Sequence, residues 1–543
     1  MSTHLKHTLP VIALAAMLLL TNISKAAVYQ WSVPVADNDH KRAFLWVPPK
    51  CQRVKALIVA FQNMLEKPFL EDESIRQTLT ELDMGIVWIM PGHTGKGDIS
   101  ANMLFKPSGK DQGMRLVKII NELAQVSGYS EIAHAPIMPI GHSAATPFNW
   151  EAGNALPDRV FAVIAYKGWF PKRTPHSIPM LHVSSEWGEW DPTWGNTWEN
   201  SDRKHLARIR KETGKRAMIG EFVDMGAGHF TWTHDSASVI SVFIRKAVEA
   251  RIPTQETDGP IKLNPVSFDS GVLVKMDTLG FDTFKTYPAD NYPGDPNEAY
   301  WYLDAEMAQA SNDYMFQRLQ KKPQMIGFIT DKGKLDTYEK AGVTQFGVTW
   351  LPDGETFEVK AQFFDKSPTK NLYGGGPLGH VDEPVLFRVG SGALKQVGPN
   401  RFKVHVHRGW IERQSAPWEP WILAYHPGNS EYRSTDRPLH AWVWTVNKNG
   451  ADQTLDFPLL ADVSVHQLKP IQLNAKASSG KTVQFYPVSG PIEVTDNQLT
   501  FTDIPARASF PIKVMVAAYQ WGSAAEPRVK TALPVIREFY ITK

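Results

Sequence analysis

Between residues 44 and 225 the chain carries seven short, nearly unbroken apolar runs: FLWV (44–47), ALIVAF (56–61), GIVWIM (85–90), PIMPIGH (136–142), VFAVIAY (160–166), PMLHVSS (179–185) and MIGEFVDM (218–225). Runs like these suit strands covered on both faces, because a strand with one wet face alternates apolar and polar residues. Among them, MRLVKIINELAQVSG at 114–128 and ASVISVFIRKAVEARI at 237–252 repeat apolar residues every three or four positions, as helices laid on a sheet do. Alternating strand and helix signals predict a doubly wound, mostly parallel α/β sheet over residues 27–253.

Past Pro253 the pattern changes. Residues 254–323 keep one helix signal, PNEAYWYLDAEMAQASNDYMFQRLQ at 296–320, expected to pack on the first domain. From 324 onward, short alternating runs such as TFEVKAQFF, FKVHVHRGW, HAWVWTV and PIKVMVAAY are separated by Gly, Pro, Asn and Asp, which predicts antiparallel β structure. A break near Lys448-Asn449-Gly450-Ala451 divides it into a β-rich unit at 324–450 and a last segment at 451–543. With ASSGKTVQFYPVSGP, IPARASFPIKVMVAAYQWG and the terminal REFYIT, that segment resembles the immunoglobulin-like sandwiches that end many secreted bacterial enzymes.

Residues 1–26 read as an address. His4, Lys6 and His7 precede VIALAAMLLL, and the stretch closes on Ser24-Lys25-Ala26-Ala27, which predicts a secretory signal peptide cleaved after Ala26. Its apolar core is too short to span a bilayer, which takes about 20 residues. The chain is therefore expected to be secreted or periplasmic, without a membrane span. Its 58 Lys and Arg against 56 Asp and Glu provide no basic footprint for nucleic acid. Cys51 is the only cysteine, so an intramolecular disulfide is excluded, as is a cysteine-rich metal site.

The chemical signal lies where PIMPI runs into Gly141-His142-Ser143-Ala144-Ala145. A serine hydroxyl attacks a carbonyl only when a sharp turn exposes it and a base takes its proton. The usual string is G-x-S-x-G, with small residues where the backbone bends tightly; here Ala145 stands at the last place. With its position in the strand series, this segment resembles the nucleophile elbow of the α/β-hydrolase superfamily, over about residues 40–252. Within that superfamily the chain looks most similar to secreted bacterial esterases of the dienelactone-hydrolase-like and carbohydrate-esterase-like type.

The resemblance implies a triad in the chain order Ser, acid, His, with each member at the carboxyl end of a strand. Ser143 is the expected nucleophile. His229, in Gly226-Ala227-Gly228-His229-Phe230 after MIGEFVDM, is the expected base, with His234 as fallback and His142 as a supporting residue. Glu186, at the end of PMLHVSS, is the first choice of acid, and Glu189 and Asp191 are alternatives. The resemblance also implies oxyanion donors at the Ala144 amide and at the amide of Gln62 or Asn63, or the Asn63 side chain. No cofactor or metal is implied.

Eighteen Trp are many for 543 residues. Trp187, Trp190, Trp194 and Trp198 follow the candidate acid, while Trp169 and Trp232 stand next to other strand ends. Aromatic rings stack on the apolar faces of sugars, so these residues point to an esterified carbohydrate as substrate; the competing reading packs them against the downstream β units. His405, His407, Trp410 and Trp421 of the 324–450 unit have the same two readings. The expected function is a secreted serine esterase acting on an acyl or methyl ester of a carbohydrate. A serine peptidase of the same fold and a non-catalytic glycan-binding or cell-surface protein on the same scaffold are the alternatives.

Overall fold

The computed structural model describes residues 28–543 except 37, 91–103, 106–113, 169–177, 188, 191–205, 212–216, 256–258, 337–343, 369–374 and 409–419. The leader at 1–26, Asp191, Trp169, Trp194, Trp198 and Trp410 lie outside the described residues. Among the described residues no helix is long and apolar enough to cross a membrane.

The first unit is built on eight strands: β1 (Trp31–Ala36), β2 (Asn38–Trp46), β3 (Ala56–Phe61), β4 (Met84–Met90), β5 (Ile137–His142), β6 (Val163–Tyr166), β7 (Met180–Trp187) and β8 (Ile219–Gly228). They lie in the order β1-β2-β4-β3-β5-β6-β7-β8. Strands β3 to β8 run parallel, while β2 is antiparallel to both β1 and β4. That order and polarity make the domain α/β-hydrolase-like. Every residue of β3 to β8 is buried, as a sheet covered on both faces requires. Helices α1 (Glu66–Leu70), α2 (Glu73–Glu81), α3 (Arg115–Ser127), α4 (Thr146–Ala155) and α5 (Ser236–Arg251) accompany the sheet.

The helix expected over 296–320 is shorter than its pattern. Residues Ala299–Tyr302 form a strand, β11, which pairs with β9 (Val272–Lys275), itself paired to β10 (Thr286–Pro288). Tyr, Trp and Tyr favour a pleated, half-packed surface. The helix α6 (Ala305–Leu319) starts only after Asp304, whose carboxylate accepts from the Met307 amide as an N-cap. This segment packs on β8: the Tyr302 hydroxyl donates to Glu221 O at 2.6 Å, and the Tyr314 hydroxyl to Asp224 Oδ1 at 3.0 Å.

Downstream the structure is β-rich. In the 324–450 unit a four-stranded sheet orders Thr344–Phe346, Thr435–Ala441, Trp421–His426 and Leu386–Ser391 side by side. The last segment holds a four-stranded and a three-stranded sheet built from strands between Val463 and Thr542. It also docks on the first unit: the Ser509 amide donates to Ser127 O at 3.0 Å, the Arg507 amide to the Tyr129 hydroxyl at 3.1 Å, and Tyr29 forms a β-bridge with Gly490.

Candidate active site

Ser143 sits at the junction of β5 and α4. The strand delivers the chain to a 3-10 turn, Ser143–Ala145, and Ser143 takes φ +52°, a left-handed conformation costly for a side chain other than glycine. Tight packing holds the turn: a Cβ on Gly141 would lie 2.5 Å from Ala145 O, and one on Gly168 2.2 Å from Thr146 Cγ2. The two Gly positions therefore cannot carry side chains without moving the elbow, whereas Ala145 fits, fully buried.

His229 follows the end of β8 and reaches back to this turn. Its Nε2 lies 2.8 Å from Ser143 Oγ, and its Nδ1 is hydrogen-bonded to Glu189 Oε1. Burial works against charge on Glu189, but the adjacent His229 imidazole and the Ser185 amide, 2.6 Å from Oε2, outweigh it and hold the carboxyl below the usual range. The imidazole is thus held between a hydroxyl and a carboxylate, the arrangement that can draw a proton from the serine and stabilise the resulting cation. His142 Nε2 faces the His229 carbonyl at 2.9 Å, so it donates there; burial, then the proximity of His229, keeps the His142 ring well below its ordinary pKa and neutral. His234, the fallback base, instead bonds Asp72, the N-cap of α2, at 2.9 Å.

Glu186, the first choice of acid, does not occupy that place. The strand β7 runs two residues beyond its predicted end, so Glu186 stays in the sheet. There it accepts from the Gly226 amide at 2.6 Å and pairs with the Arg433 guanidinium of the downstream unit. The turn that follows swings Glu189 to the histidine.

The Ala144 amide lies in the first turn of the helical stretch that begins at Ser143, where amides lack partners within the helix. The second donors expected from sequence are otherwise engaged. The Gln62 amide donates to Ile89 O at 3.1 Å, extending the β3–β4 ladder, and the Asn63 amide donates to Glu66 Oε2 at 2.7 Å. The Asn63 side-chain amide donates to His142 O at 3.0 Å. Glu66 ties the Asn63 backbone to the elbow, since its other oxygen accepts from the His142 amide at 2.6 Å; burial pushes its carboxyl up to about 7.

Of the three described tryptophans expected to line a substrate site, two are packed away. Trp187 is 3% exposed, in an apolar cluster with Met325, Phe364 and Leu378 of the 324–450 unit. Trp232 is 4% exposed, with Phe69 and Tyr166 against its ring, and donates through Nε1 to Asp72 at 3.1 Å. Trp190 remains half-buried beside Glu189. The ring of Trp421 is buried and stacks on Phe230 at 4.2 Å, while His405 and His407 are bonded to Gln484 and to the carbonyls of Gly392 and Arg408.

The contacts of the 324–450 unit with this site carried no local sequence signal. Arg433 pairs with Glu186, Arg388 donates to Trp232 O at 2.8 Å, and Asp436 Oδ1 accepts from the Thr231 hydroxyl at 2.8 Å. Asp436 is buried, and burial pushes its carboxyl up to about 7. A Cβ on Gly226, at φ +81°, would meet Ser434 O at 2.3 Å, so only glycine lets the two backbones approach. Among the described residues no group of three or more His, Cys, Asp or Glu is arranged to hold a metal ion.

No family model matches the chain, and no curated protein matches it. Among solved structures it is similar to esterase PE8, at 14% identity over 37% of this chain and 97% of that one, with a TM-score of 0.27. It is similar as well to LpqC, a poly(3-hydroxybutyrate) depolymerase from Bordetella parapertussis, at 13% identity, 42% and 92% coverage and a TM-score of 0.28. Poly(aspartic acid) hydrolase-1 from Sphingomonas sp. KT-1 matches at 9% identity, 39% and 97% coverage and a TM-score of 0.30.

Proposed function

We propose that this chain is a serine hydrolase of carboxylic esters, with Ser143 as nucleophile, His229 as base and Glu189 as the acid that orients His229. The observation that carries this reading is the contact chain from Ser143 Oγ to His229 Nε2 at 2.8 Å and from His229 Nδ1 to Glu189. Ser143 Oγ attacks the ester carbon while its proton passes to His229 Nε2. The tetrahedral intermediate collapses, the alcohol leaves with that proton, and Ser143 is left acylated. Water then attacks the acyl carbon, giving its proton to His229, and the acid is released as Ser143 regains a proton. The Ala144 amide is the oxyanion donor in this scheme.

The ester is carried on a carbohydrate. Trp190 beside Glu189 and the Trp-rich sequence that follows it support this part of the reading. The leader pattern supports export with cleavage after Ala26, and the paired sheets of residues 451–543 support an immunoglobulin-like sandwich.

Labelling by a fluorophosphonate probe, together with hydrolysis of p-nitrophenyl acetate, tests the mechanism. Both are expected from the wild-type protein and neither from Ser143→Ala. Folded wild-type protein that shows neither would end the hydrolase reading, and turnover of peptides in preference to esters would replace it with a peptidase. Release of acid or methanol from acetylated, feruloylated or methyl-esterified polysaccharides tests the substrate class.

A further inference from the structure

Two residues flank the pair His229-Phe230, and both are gripped twice. On the hydrolase side the Lys167 ammonium, fully buried after β6, donates to Gly228 O at 3.0 Å and to Thr231 O at 2.6 Å. Its remaining bond goes to Asp224 Oδ2 at 2.9 Å. From the 324–450 unit, Asp436 Oδ1 accepts from the Thr231 hydroxyl at 2.8 Å and from the Gly228 amide at 3.4 Å. One jaw holds the carbonyls and the other holds the donors of the same two residues.

An ammonium has three N–H donors, and all three are used here. A buried cation persists only when it is paired and fully hydrogen-bonded, so this lysine is committed to its place. Asp224 is committed too: its second oxygen accepts from the Thr233 hydroxyl at 2.6 Å and the Tyr314 hydroxyl at 3.0 Å. Lys167 itself sits at φ +46°, a conformation that such over-determined surroundings maintain. A base works only within hydrogen-bond reach of the proton it takes, so a loop carrying one has to be fixed.

We propose that Lys167 and Asp436 are positioning residues for the His229 base, and that the 324–450 unit completes the active site of the hydrolase domain. This rests on the serine-hydrolase reading above.

The test uses the full chain and two readouts. A misplacement of 1 Å can cost about 10²-fold, so Asp436→Ala is expected to lower kcat on p-nitrophenyl acetate about 10²-fold while KM stays within about twofold. Asp436→Asn, which keeps an acceptor oxygen in place, is expected to recover most of the loss. Hydrogen exchange of residues 226–233 is expected to be about 10-fold faster in Asp436→Ala, with β5 unchanged. Wild-type kcat and wild-type exchange in a folded Asp436→Ala protein would overturn the proposal. If that variant does not fold, Thr231→Val removes one of the two bonds, and a loss of about 10-fold is expected; an unchanged kcat there would overturn it equally. Should the wild-type protein neither label nor hydrolyse esters, the hydrolase reading fails by itself, and exchange in Asp436→Ala decides whether the clamp exists.

Discussion

Glu189 binds the Ser185 amide with one carboxylate oxygen and the Nδ1 of His229 with the other, so a single side chain ties the histidine to the end of β7. Glu186, three residues earlier, serves a different purpose, as the buried partner of Arg433. The two glutamates therefore fail in different ways when altered.

Glu189→Gln keeps the shape but presents the wrong group to His229. Turnover of p-nitrophenyl acetate should fall about 10³- to 10⁴-fold, with little change in the thermal midpoint.

Glu186→Gln removes a carboxylate that the buried Arg433 guanidinium pairs with. Breaking one side of such a pair costs about 3–5 kcal/mol, so the urea midpoint should drop sharply, and the loss in kcat should be smaller than that of Glu189→Gln.

Asp436 has a folded pKa of about 7, raised by burial above the ordinary 3.8. A raised carboxyl contributes stability that is complete below its unfolded pKa and is lost as pH climbs through the folded one. The loss falls between about pH 4 and pH 7 and is on the order of 4 kcal/mol. Urea midpoints at pH 5 and pH 8 should show Asp436→Asn losing less stability than wild type across that range; equal losses would count against a protonated Asp436.

Trp187 is a packing residue between units, not a sugar platform. Trp187→Ala should cost about 3–5 kcal/mol in unfolding experiments, and any change in KM for an esterified glycan should be no larger than the change for p-nitrophenyl acetate.

Much of the sheet is legible in local pattern. ALIVAF coincides with β3, and the three-four spacing of MRLVKIINELAQVSG coincides with α3, because both are set by the faces they bury. Tyr300-Trp301-Tyr302 shows the limit: a helical pattern runs through residues that pair with β9 instead, and only the cap at Asp304 marks where the helix begins. At the site, Ser143 and His229 stand where glycine-rich strand ends suggested, and the structure brings them together. The choice between Glu186 and Glu189 was not legible, because it depends on how far β7 extends and on a guanidinium 247 positions away in sequence. The engagement of the Asn63 amide depends likewise on Glu66 folding back under the elbow, and that of the Gln62 amide on the β3–β4 ladder running one residue further, which no spacing rule announces.

The bond between Thr231 and Asp436 spans 205 positions of chain. At about 5–20 residues per second of synthesis, the acceptor leaves the ribosome roughly 10–40 s after the hydroxyl it receives from. On the proposed clamp, a nascent chain that already holds its serine and histidine waits for this distant strand before the loop carrying His229 is gripped from both sides. If the proposed clamp holds, full turnover is expected only once synthesis has passed Asp436.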